Sequence, residues 1–106
     1  MPGRTVSKHP RAVQDLREIA VYLTEHGSEA TGLRFVEHAA KTFEDLCEHP
    51  HKGRARPWRS EDLEGLRSYP IRGFKNWLVF YAVQEAKVTI VRVLHGARDL
   101  DAMLEE

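Results

Sequence analysis

The sequence predicts an α+β fold: a small two-layer domain of order β-α-α-β-β-β-(short α), with a helix hairpin packed on a mostly antiparallel sheet. Apolar residues recur at helical spacing between Ala12 and Cys47. Between Leu66 and Leu94 they follow the alternation of strands instead. The two helical segments meet at Gly27 through a very short link, so we expect them to lie antiparallel and to cover the sheet.

A short first strand is predicted at residues 4–8, where two β-branched residues precede His9-Pro10. Proline cannot continue a strand ladder, but it suits the first turn of a helix, where a missing N–H has no cost. The first helix is therefore predicted to begin here and to run to about His26. Gly27 is expected to end it in the left-handed conformation.

The second helix is predicted to begin after Ser28, whose hydroxyl can cap it, and to stop before Pro50. The apolar residues of its predicted buried stripe are Leu33, Val36, Ala39, Ala40, Phe43, Leu46 and Cys47. Each helix has only one apolar face. The pair must therefore pack on the C-terminal sheet, which is the remaining large partner.

An irregular segment follows the second helix. Residues 49–64 lose the helical period and contain two prolines and a glycine, so we predict a loop. Alternation resumes at residues 66–71, which are predicted to form a strand. Because Pro70 removes a ladder donor, this strand is expected to lie at an edge or to end there.

Two buried strands are predicted to complete the sheet. Residues 72–76 are expected to turn, and residues 77–83 are apolar on both alternating faces, as in a central strand. A hairpin loop at 84–87 leads to residues 88–94, which are rich in β-branched side chains. After this last strand, Asp99 is expected to cap a short helix.

Length and composition indicate a soluble protein with one domain, residues 1–106, because 106 residues are too few for two cores. The single cysteine, Cys47, cannot form an internal disulfide and falls on the apolar side of the second helix. That usage fits a reducing cytoplasm. The start of the chain has no apolar segment of signal-peptide or membrane-spanning length, so we expect a cytoplasmic location without a membrane.

Several functional classes are excluded by what the sequence lacks. With 16 Lys and Arg against 16 Asp and Glu, nucleic-acid binding would need a local basic patch. His49 and His51 lack the further ligands of a zinc site, and there is no Gly-rich phosphate loop, Walker lysine or nucleophile elbow. We therefore predict neither a metal nor a cofactor.

A basic loop carries the first candidate contact residues. They are Lys52, Arg54, Arg56, Trp58 and Arg59. Guanidinium groups bind phosphate or carboxylate through two hydrogen bonds, and an aromatic ring offers a stacking surface. Three acidic residues follow within residues 61–64 and offset much of this charge. A solvated loop with local ion pairs is therefore the plainer interpretation.

A second set of candidate contact residues is spread along the strands. It consists of Arg67, Arg72, Lys75, Arg92 and Arg98. If Arg67 and Arg92 emerge on one face near Arg98, they would line a groove for a phosphate backbone or an acidic peptide. Arg92 interrupts an apolar strand and must reach water or a carboxylate. A structural salt bridge, for example to Asp99, is an equal alternative.

His95 is the third candidate, because it stands at a predicted strand end, where catalytic groups are common. A histidine there could act as a general base on a 2′-hydroxyl, with Arg98 stabilising the phosphate. Local backbone hydrogen bonds from His95 and capping by Asp99 account for the same residues. A lone histidine does not decide between these interpretations.

The segments "GLRSYPIRG", "WLVFYAV" and "VTIVRVLHGARDL", in this order after a helix hairpin, resemble the ParE and RelE superfamily of toxins from bacterial type II toxin–antitoxin modules. The segment "HPRAVQDLREIAVYLTEHG" is similar to the first helix of that superfamily, and "LCEHPHKGRARP" to the loop after its second. The resemblance covers nearly the whole chain and implies the fold predicted above.

Two activities occur in this superfamily. RelE-like members cleave messenger RNA in the ribosome with basic residues on the middle strands and a C-terminal tyrosine. Here Leu78 stands where such toxins commonly place an arginine, no tyrosine follows Arg98, and only Arg72 stands where paired basic residues are expected. Phosphoryl transfer without a metal needs several positioned charges, so the resemblance favours the ParE-like branch.

The ParE-like branch implies a toxin of a type II toxin–antitoxin (plasmid stabilisation) module that binds and inhibits DNA gyrase and has no catalytic residues of its own. The alternative is a RelE-like, ribosome-dependent mRNA endoribonuclease using His95, Arg98 and Arg72. A third possibility is a toxin-like scaffold without toxicity. Gyrase is therefore the expected target.

The resemblance also implies a ParD-like antitoxin, a small ribbon-helix-helix protein with a flexible C-terminal arm, in a hetero-oligomer with the toxin. Such an arm would order on binding and lay apolar side chains against the toxin's helices and sheet. It could dock as a helix in a groove or as an added edge strand. The sequence leaves both modes open.

Overall fold

Two helices pack on a five-stranded sheet, and the computed structural model describes residues 5–57, 65–85 and 87–99. The elements in order are β1 (Thr5–Lys8), α1 (Pro10–His26), α2 (Glu29–Glu48), a 3-10 turn (Pro50–Lys52), β2 (Arg54–Ala55), β3 (Arg67–Ile71), β4 (Phe74–Val83) and β5 (Lys87–His95). The predicted α+β class is confirmed, with the short β2 added inside the predicted loop. The helix predicted after Asp99 lies outside the described residues.

The strands lie in the order β1-β5-β4-β3-β2. β1 runs parallel to β5, with Val6 opposite Val88, and the other neighbouring pairs are antiparallel. A parallel pair needs a long crossover, and the helix hairpin supplies part of it. Among the elements described, neither helix combines the length and apolar character that crossing a membrane requires.

The core occupies both faces of the sheet. Toward the helices, Phe35, Tyr81 and Ile90 are fully buried in one cluster. Phe80, which adjoins Tyr81 in β4 and so points to the opposite face, is buried in a second cluster with Leu66. β4 is thus covered on both faces, which confirms the central strand predicted from its unbroken apolar run.

The helix hairpin is capped as predicted, with one difference. His9 and Ser28 accept backbone N–H groups of the first turns of α1 and α2. Gly27 ends α1 by donating its N–H to the Leu23 carbonyl, but its φ of −128° is not the predicted left-handed conformation. Glycine is needed there for space, because a Cβ would lie 2.8 Å from the Leu23 oxygen.

The buried face of α2 differs from the predicted stripe. The members of the stripe that are buried are Ala39, Phe43, Leu46 and Cys47. Leu33 and Val36 are instead 60% and 50% exposed, and Ala40 is also exposed. The helix carries apolar residues on two adjacent strips that fit the same period, and the strip containing Phe35 packs on the sheet. An aromatic ring buries more apolar area than Leu33 or Val36, which favours that choice.

β4 begins three residues earlier than predicted. The turn after β3 contains only Arg72 and Gly73, and pairing resumes at Phe74, opposite Ile71. Gly73 has φ +81°, a conformation that glycine adopts without a steric cost. Such a residue allows a tight hairpin. The strand therefore begins at Phe74, before the predicted start at Trp77.

Within the part of the chain that the structure describes, β3 has an open edge beyond the short β2, which pairs with Arg67 and Ser68. Because the Arg56 N–H donates to the Leu66 carbonyl, alternate residues of β3 starting at Leu66 direct their backbone groups toward that edge. Pro70 is one of them and has no N–H to offer. Its predicted edge position is confirmed, and the edge lacks a donor that an added strand would use.

Candidate functional site

The end of β5 brings His95 and Arg98 together with Asp99. The Asp99 carboxylate accepts the His95 backbone N–H and the Arg98 Nε–H, each at 3.1 Å. Nδ1 of His95 accepts the Arg98 backbone N–H at 3.1 Å. Partial burial acts to raise the pKa of Asp99, but the hydrogen bonds from Arg98 and His95 outweigh it and lower that pKa overall. These groups close a local turn, as the simpler sequence interpretation expects.

The same bonds limit what His95 can do chemically. Because Nδ1 accepts a hydrogen bond, the neutral ring carries its proton on Nε2, which is then a donor. To act as a general base at Nε2, the imidazole would have to change tautomer and lose the bond from Arg98. The observed hydrogen bonds therefore stabilise the local turn and do not prepare His95 to abstract a proton.

Arg98 also lies over two aromatic rings that are distant from it in sequence. Its guanidinium carbon is 5.9 Å from the Tyr22 ring centre and 5.4 Å from that of Trp77. The three residues border a cleft of about 240 Å³ whose acidic wall includes Asp15 and Glu18. No local pattern links α1 to β4, so only the folded chain reveals this contact.

Arg92 is bound to α1, and the predicted bond to Asp99 is wrong. Its Nε donates to Asp15 at 2.8 Å, and Asp15 also accepts the Val93 backbone N–H at 3.0 Å. The pairing of β4 with β5 shifts register beside this residue, where Phe80 lies opposite Arg92 and Tyr81 lies opposite Ile90. The structural salt bridge is confirmed with a different partner. Asp15, an acid on the buried face of α1, was the available signal.

Arg67 holds the segment after α2. Its Nη1 donates to the Gly53 carbonyl at 2.8 Å and to the His51 carbonyl at 3.4 Å. The buried Tyr81 hydroxyl completes this arrangement, donating to the Pro50 carbonyl at 2.7 Å. Burial raises the pKa of Tyr81. Arg67 therefore has a structural role in the fold.

The groove predicted from Arg67, Arg92 and Arg98 does not form. Arg67 lies on β3 and Arg92 on β5, with β4 between them, and both are engaged in contacts that hold the fold together. In the basic loop, burial and then the nearby charge of Arg54 lower the pKa of Arg56. Arg54 is exposed on β2, whereas Nε of Arg56 donates to the Ser68 hydroxyl at 2.7 Å. Trp58 and Arg59 lie outside the described residues.

Arg72 and Lys75 join two further cations in a basic groove. We use this name for the cavity of about 560 Å³ lined by Lys41, Lys52, Arg72 and Lys75, together with Tyr69 and residues adjoining them. The β3–β4 turn presents Arg72, the start of β4 presents Lys75, and α2 and the 3-10 turn present the other two. The sequence pattern indicated Arg72 and Lys75. It missed Lys41, whose place beside them depends on how α2 packs.

An apolar groove runs along the outer surface of the helix hairpin. This hairpin groove, of about 280 Å³, is lined by Ala20, Val21, Thr24, Glu25, Glu29, Gly32, Leu33 and Val36. Val21, Leu33 and Val36 are each at least half exposed. A Cβ on Gly32 would lie 3.0 Å from the Ala20 carbonyl, so glycine allows the helices to approach closely. The residues wrongly predicted to be core thus form an exposed apolar surface.

One group of possible metal ligands occurs in the described residues. The ligand atoms of Asp45, Glu48 and His49 lie within 4.8 Å of one another. Lys52 forms an ion pair with Asp45, and the hydrogen bond between them raises the pKa of the lysine. A cation already occupies that carboxylate, so the group carries no functional assignment.

Comparison with known proteins agrees with this architecture. A chain in the structure of the chromosomal ParDE TA system from P. aeruginosa has a TM-score of 0.69 and 18% identity, over 87% of this chain and 95% of that one. A chain in the E. coli DinJ-YafQ toxin-antitoxin complex has a TM-score of 0.55 and 12% identity, over 91% and 96%. No curated protein matches the sequence. The family model for the ParE toxin of the type II toxin-antitoxin system, parDE, matches residues 6–100, so the chain belongs to the ParE toxin family.

Proposed function

We propose that this protein is a ParE-like toxin of a plasmid stabilisation module that acts in the cytoplasm by binding DNA gyrase and inhibiting it. Family membership supports a toxin. The distribution of the cations supports binding over catalysis, since Arg98 and Arg72 line two different cavities. Phosphoryl transfer requires several charges around one phosphate, and the described residues do not gather His95 with both arginines.

A supercoiling assay with purified gyrase tests this proposal. We expect micromolar toxin to inhibit supercoiling and to leave cleaved DNA bound to the enzyme. Unchanged supercoiling at that concentration, with toxin that is folded by circular dichroism, would contradict gyrase as the target.

Two parallel measurements separate the alternatives. Codon-dependent cuts in primer extension on translated messages, lost in His95→Ala and Arg98→Ala, would support the RelE-like ribonuclease instead. Normal growth when the toxin is expressed alone would support a scaffold without toxicity. Growth arrest with uncut messages is the result that the gyrase proposal requires.

The hairpin groove supports neutralisation by a ParD-like antitoxin in a hetero-oligomer. Its apolar floor suits the apolar face of an amphipathic helix, which is a common way to bind a groove of this kind. Strand addition at β3 is disfavoured, because Pro70 offers no N–H at the open edge. Of the two docking modes that the sequence left open, a helix in the hairpin groove is therefore the one we propose.

Binding between the toxin and the antitoxin encoded beside it tests this docking mode. Leu33→Glu and Val36→Glu place a charge on the floor of the groove and should each weaken binding by about tenfold or more. Gln14→Glu, an exposed change on α1 outside the groove, is the control and should bind as the unmodified protein does. Equal affinity of all three variants would contradict docking in the hairpin groove.

A further inference from the structure

The basic groove has a strong excess of positive charge. Four cations line it, from α2 (Lys41), the 3-10 turn (Lys52), the β3–β4 turn (Arg72) and the start of β4 (Lys75). Asp45 is the one carboxylate in its lining, and it forms an ion pair with Lys52. Across the described ranges, no carboxylate lies within ion-pair distance of the other three cations. These three are therefore available to a ligand.

The turn that presents Arg72 is held in place by two contacts with α2. The Arg72 backbone N–H donates to the Thr42 hydroxyl at 3.3 Å, and its carbonyl oxygen is 2.7 Å from Nδ1 of His38. The Thr42 hydroxyl in turn donates to the His38 carbonyl at 2.7 Å. The side chain of Arg72 remains exposed. Because the backbone of Arg72 is already fixed, ordering it adds little to the entropy cost of binding an anion.

The remaining lining distinguishes between two classes of anionic ligand. Pro70, which is exposed, gives the groove apolar surface between the cations. Lys52 lies 4.7 Å from the Tyr69 ring centre, and Tyr69 also packs against the core, so a base that stacked on this ring would have to compete with the lysine. The formal net charge of the chain is +0, so it exerts little long-range attraction on nucleic acid. Carboxylates interspersed with apolar side chains fit this surface better than a phosphate backbone does.

We propose that the basic groove binds an acidic, partly apolar peptide segment of a protein partner, with Arg72 donating two hydrogen bonds to one carboxylate and Lys41 and Lys75 contacting neighbouring carboxylates. Arginine has the planar donor geometry for this contact, whereas the lysines act as point charges. The peptide segment is held by contacts of its side chains and does not pair as a strand with β3, since Pro70 has no backbone N–H to donate. This binding surface is separate from the hairpin groove and does not depend on gyrase being the target.

Fluorescence anisotropy with labelled probes tests the proposal. The main probe is an acetylated peptide alternating Leu with pairs of Glu, and the matched probe has Gln in place of Glu. A single-stranded DNA oligonucleotide of similar charge is the third. At about 50 mM salt, where charge pairs are weakly screened, we expect the Glu peptide to bind at least about tenfold more tightly than either other probe.

Variants locate the site. Arg72→Gln and Lys75→Gln should each weaken binding of the Glu peptide by about fivefold to tenfold. The affinity of Arg72→Lys should lie between that of the unmodified protein and that of Arg72→Gln, because lysine keeps the charge and loses the paired donors. Lys87→Gln is the control, because Lys87 is exposed at the opposite end of the β4–β5 hairpin. It should bind the peptide as the unmodified protein does.

Three results would overturn the proposal. They are tighter binding of DNA than of the Glu peptide, equal binding of the Glu and Gln peptides, and equal loss of affinity in Lys87→Gln and Arg72→Gln. All substituted side chains are exposed, so circular dichroism should show folded protein throughout. If gyrase inhibition fails while these binding results hold, only the proposed target is wrong.

Discussion

The hydroxyl oxygen of Tyr81, in the centre of the sheet, accepts a hydrogen bond from the backbone N–H of Gly53 at 3.0 Å. The same hydroxyl donates to the Pro50 carbonyl. One buried phenol therefore satisfies two backbone groups of the segment that follows α2 and fixes that segment to the core. Since Lys52 lies in this segment, the position of one wall of the basic groove depends on Tyr81.

We expect Tyr81→Phe to lower the free energy of unfolding by about 1–3 kcal/mol, because it leaves a buried N–H and a buried carbonyl without their partner. Urea denaturation followed by circular dichroism measures the change. Tyr22→Phe is the matched control, since Tyr22 is 41% exposed, and it should change stability by less than about 0.5 kcal/mol. Equal effects of the two substitutions would contradict the role of the Tyr81 hydroxyl.

Gly53→Ala should be strongly destabilising for a steric reason. A Cβ at Gly53 would overlap the Tyr81 hydroxyl and lie 2.9 Å from two ring carbons, while the φ of −70° is acceptable for alanine. We expect a loss of about 1–3 kcal/mol, as for other overpacked sites. The double variant with Tyr81→Phe should lose less unfolding free energy than the two single variants lose together, because the phenylalanine removes part of the overlap. Strict additivity in urea denaturation would argue against the contact.

Alkaline pH should reduce the stabilising contribution of Tyr81. Its pKa is raised above the ordinary value of 10.0 mainly by burial, so the unfolded chain loses the phenol proton at a lower pH than the folded protein does. The contribution is therefore complete below about pH 10 and is lost as pH rises toward the folded pKa. The stability difference between the unmodified protein and Tyr81→Phe should shrink between pH 8 and pH 11 in urea denaturation. A constant difference would contradict the raised pKa.

The ion pair between Asp15 and Arg92 yields a further prediction. Asp15 is 5% exposed, and its removal would leave Arg92 without this carboxylate and the Val93 N–H without its acceptor. Asp15→Ala should therefore lower the free energy of unfolding by about 3–5 kcal/mol. Glu18→Ala, an exposed change one turn along α1, is the control. A loss of under about 1 kcal/mol in Asp15→Ala would contradict this role of the ion pair and would show that other contacts of Arg92 compensate for the missing carboxylate.

The fold was largely predictable because its strongest signals are local. The change of apolar period separates the helices from the strands, and Ser28 marks the start of α2 as predicted. β2 was not predictable, since two residues, Arg54 and Ala55, carry no period and pair only because β3 is adjacent. The parallel place of β1 beside β5 likewise follows from the packed hairpin and has no local signal.

The candidate site was less predictable, because whether a cation is structural or available to a ligand depends on which groups it contacts in the folded chain. Arg67 and Arg72 look alike in sequence, yet Arg67 donates to two carbonyls of the chain and Arg72 is exposed. Arg92 shows the same limit, since its partner Asp15 precedes it by 77 residues. The turn at His95 was the exception. Its hydrogen bonds join residues within four positions, and the sequence already indicated them.

The orientation of α2 can be tested with two residues that lie close together in sequence. Phe35→Ala should lower the free energy of unfolding by about 3–5 kcal/mol, because Phe35 is 0% exposed and packs against Phe74 and Trp77 with ring centres 5.3 and 6.4 Å away. Leu33→Ser, at a position 60% exposed, should change it by less than about 0.5 kcal/mol. The stripe predicted from periodicity would require a large loss at Leu33 instead, so urea denaturation of the two variants distinguishes a hairpin groove open to a partner from a buried core position.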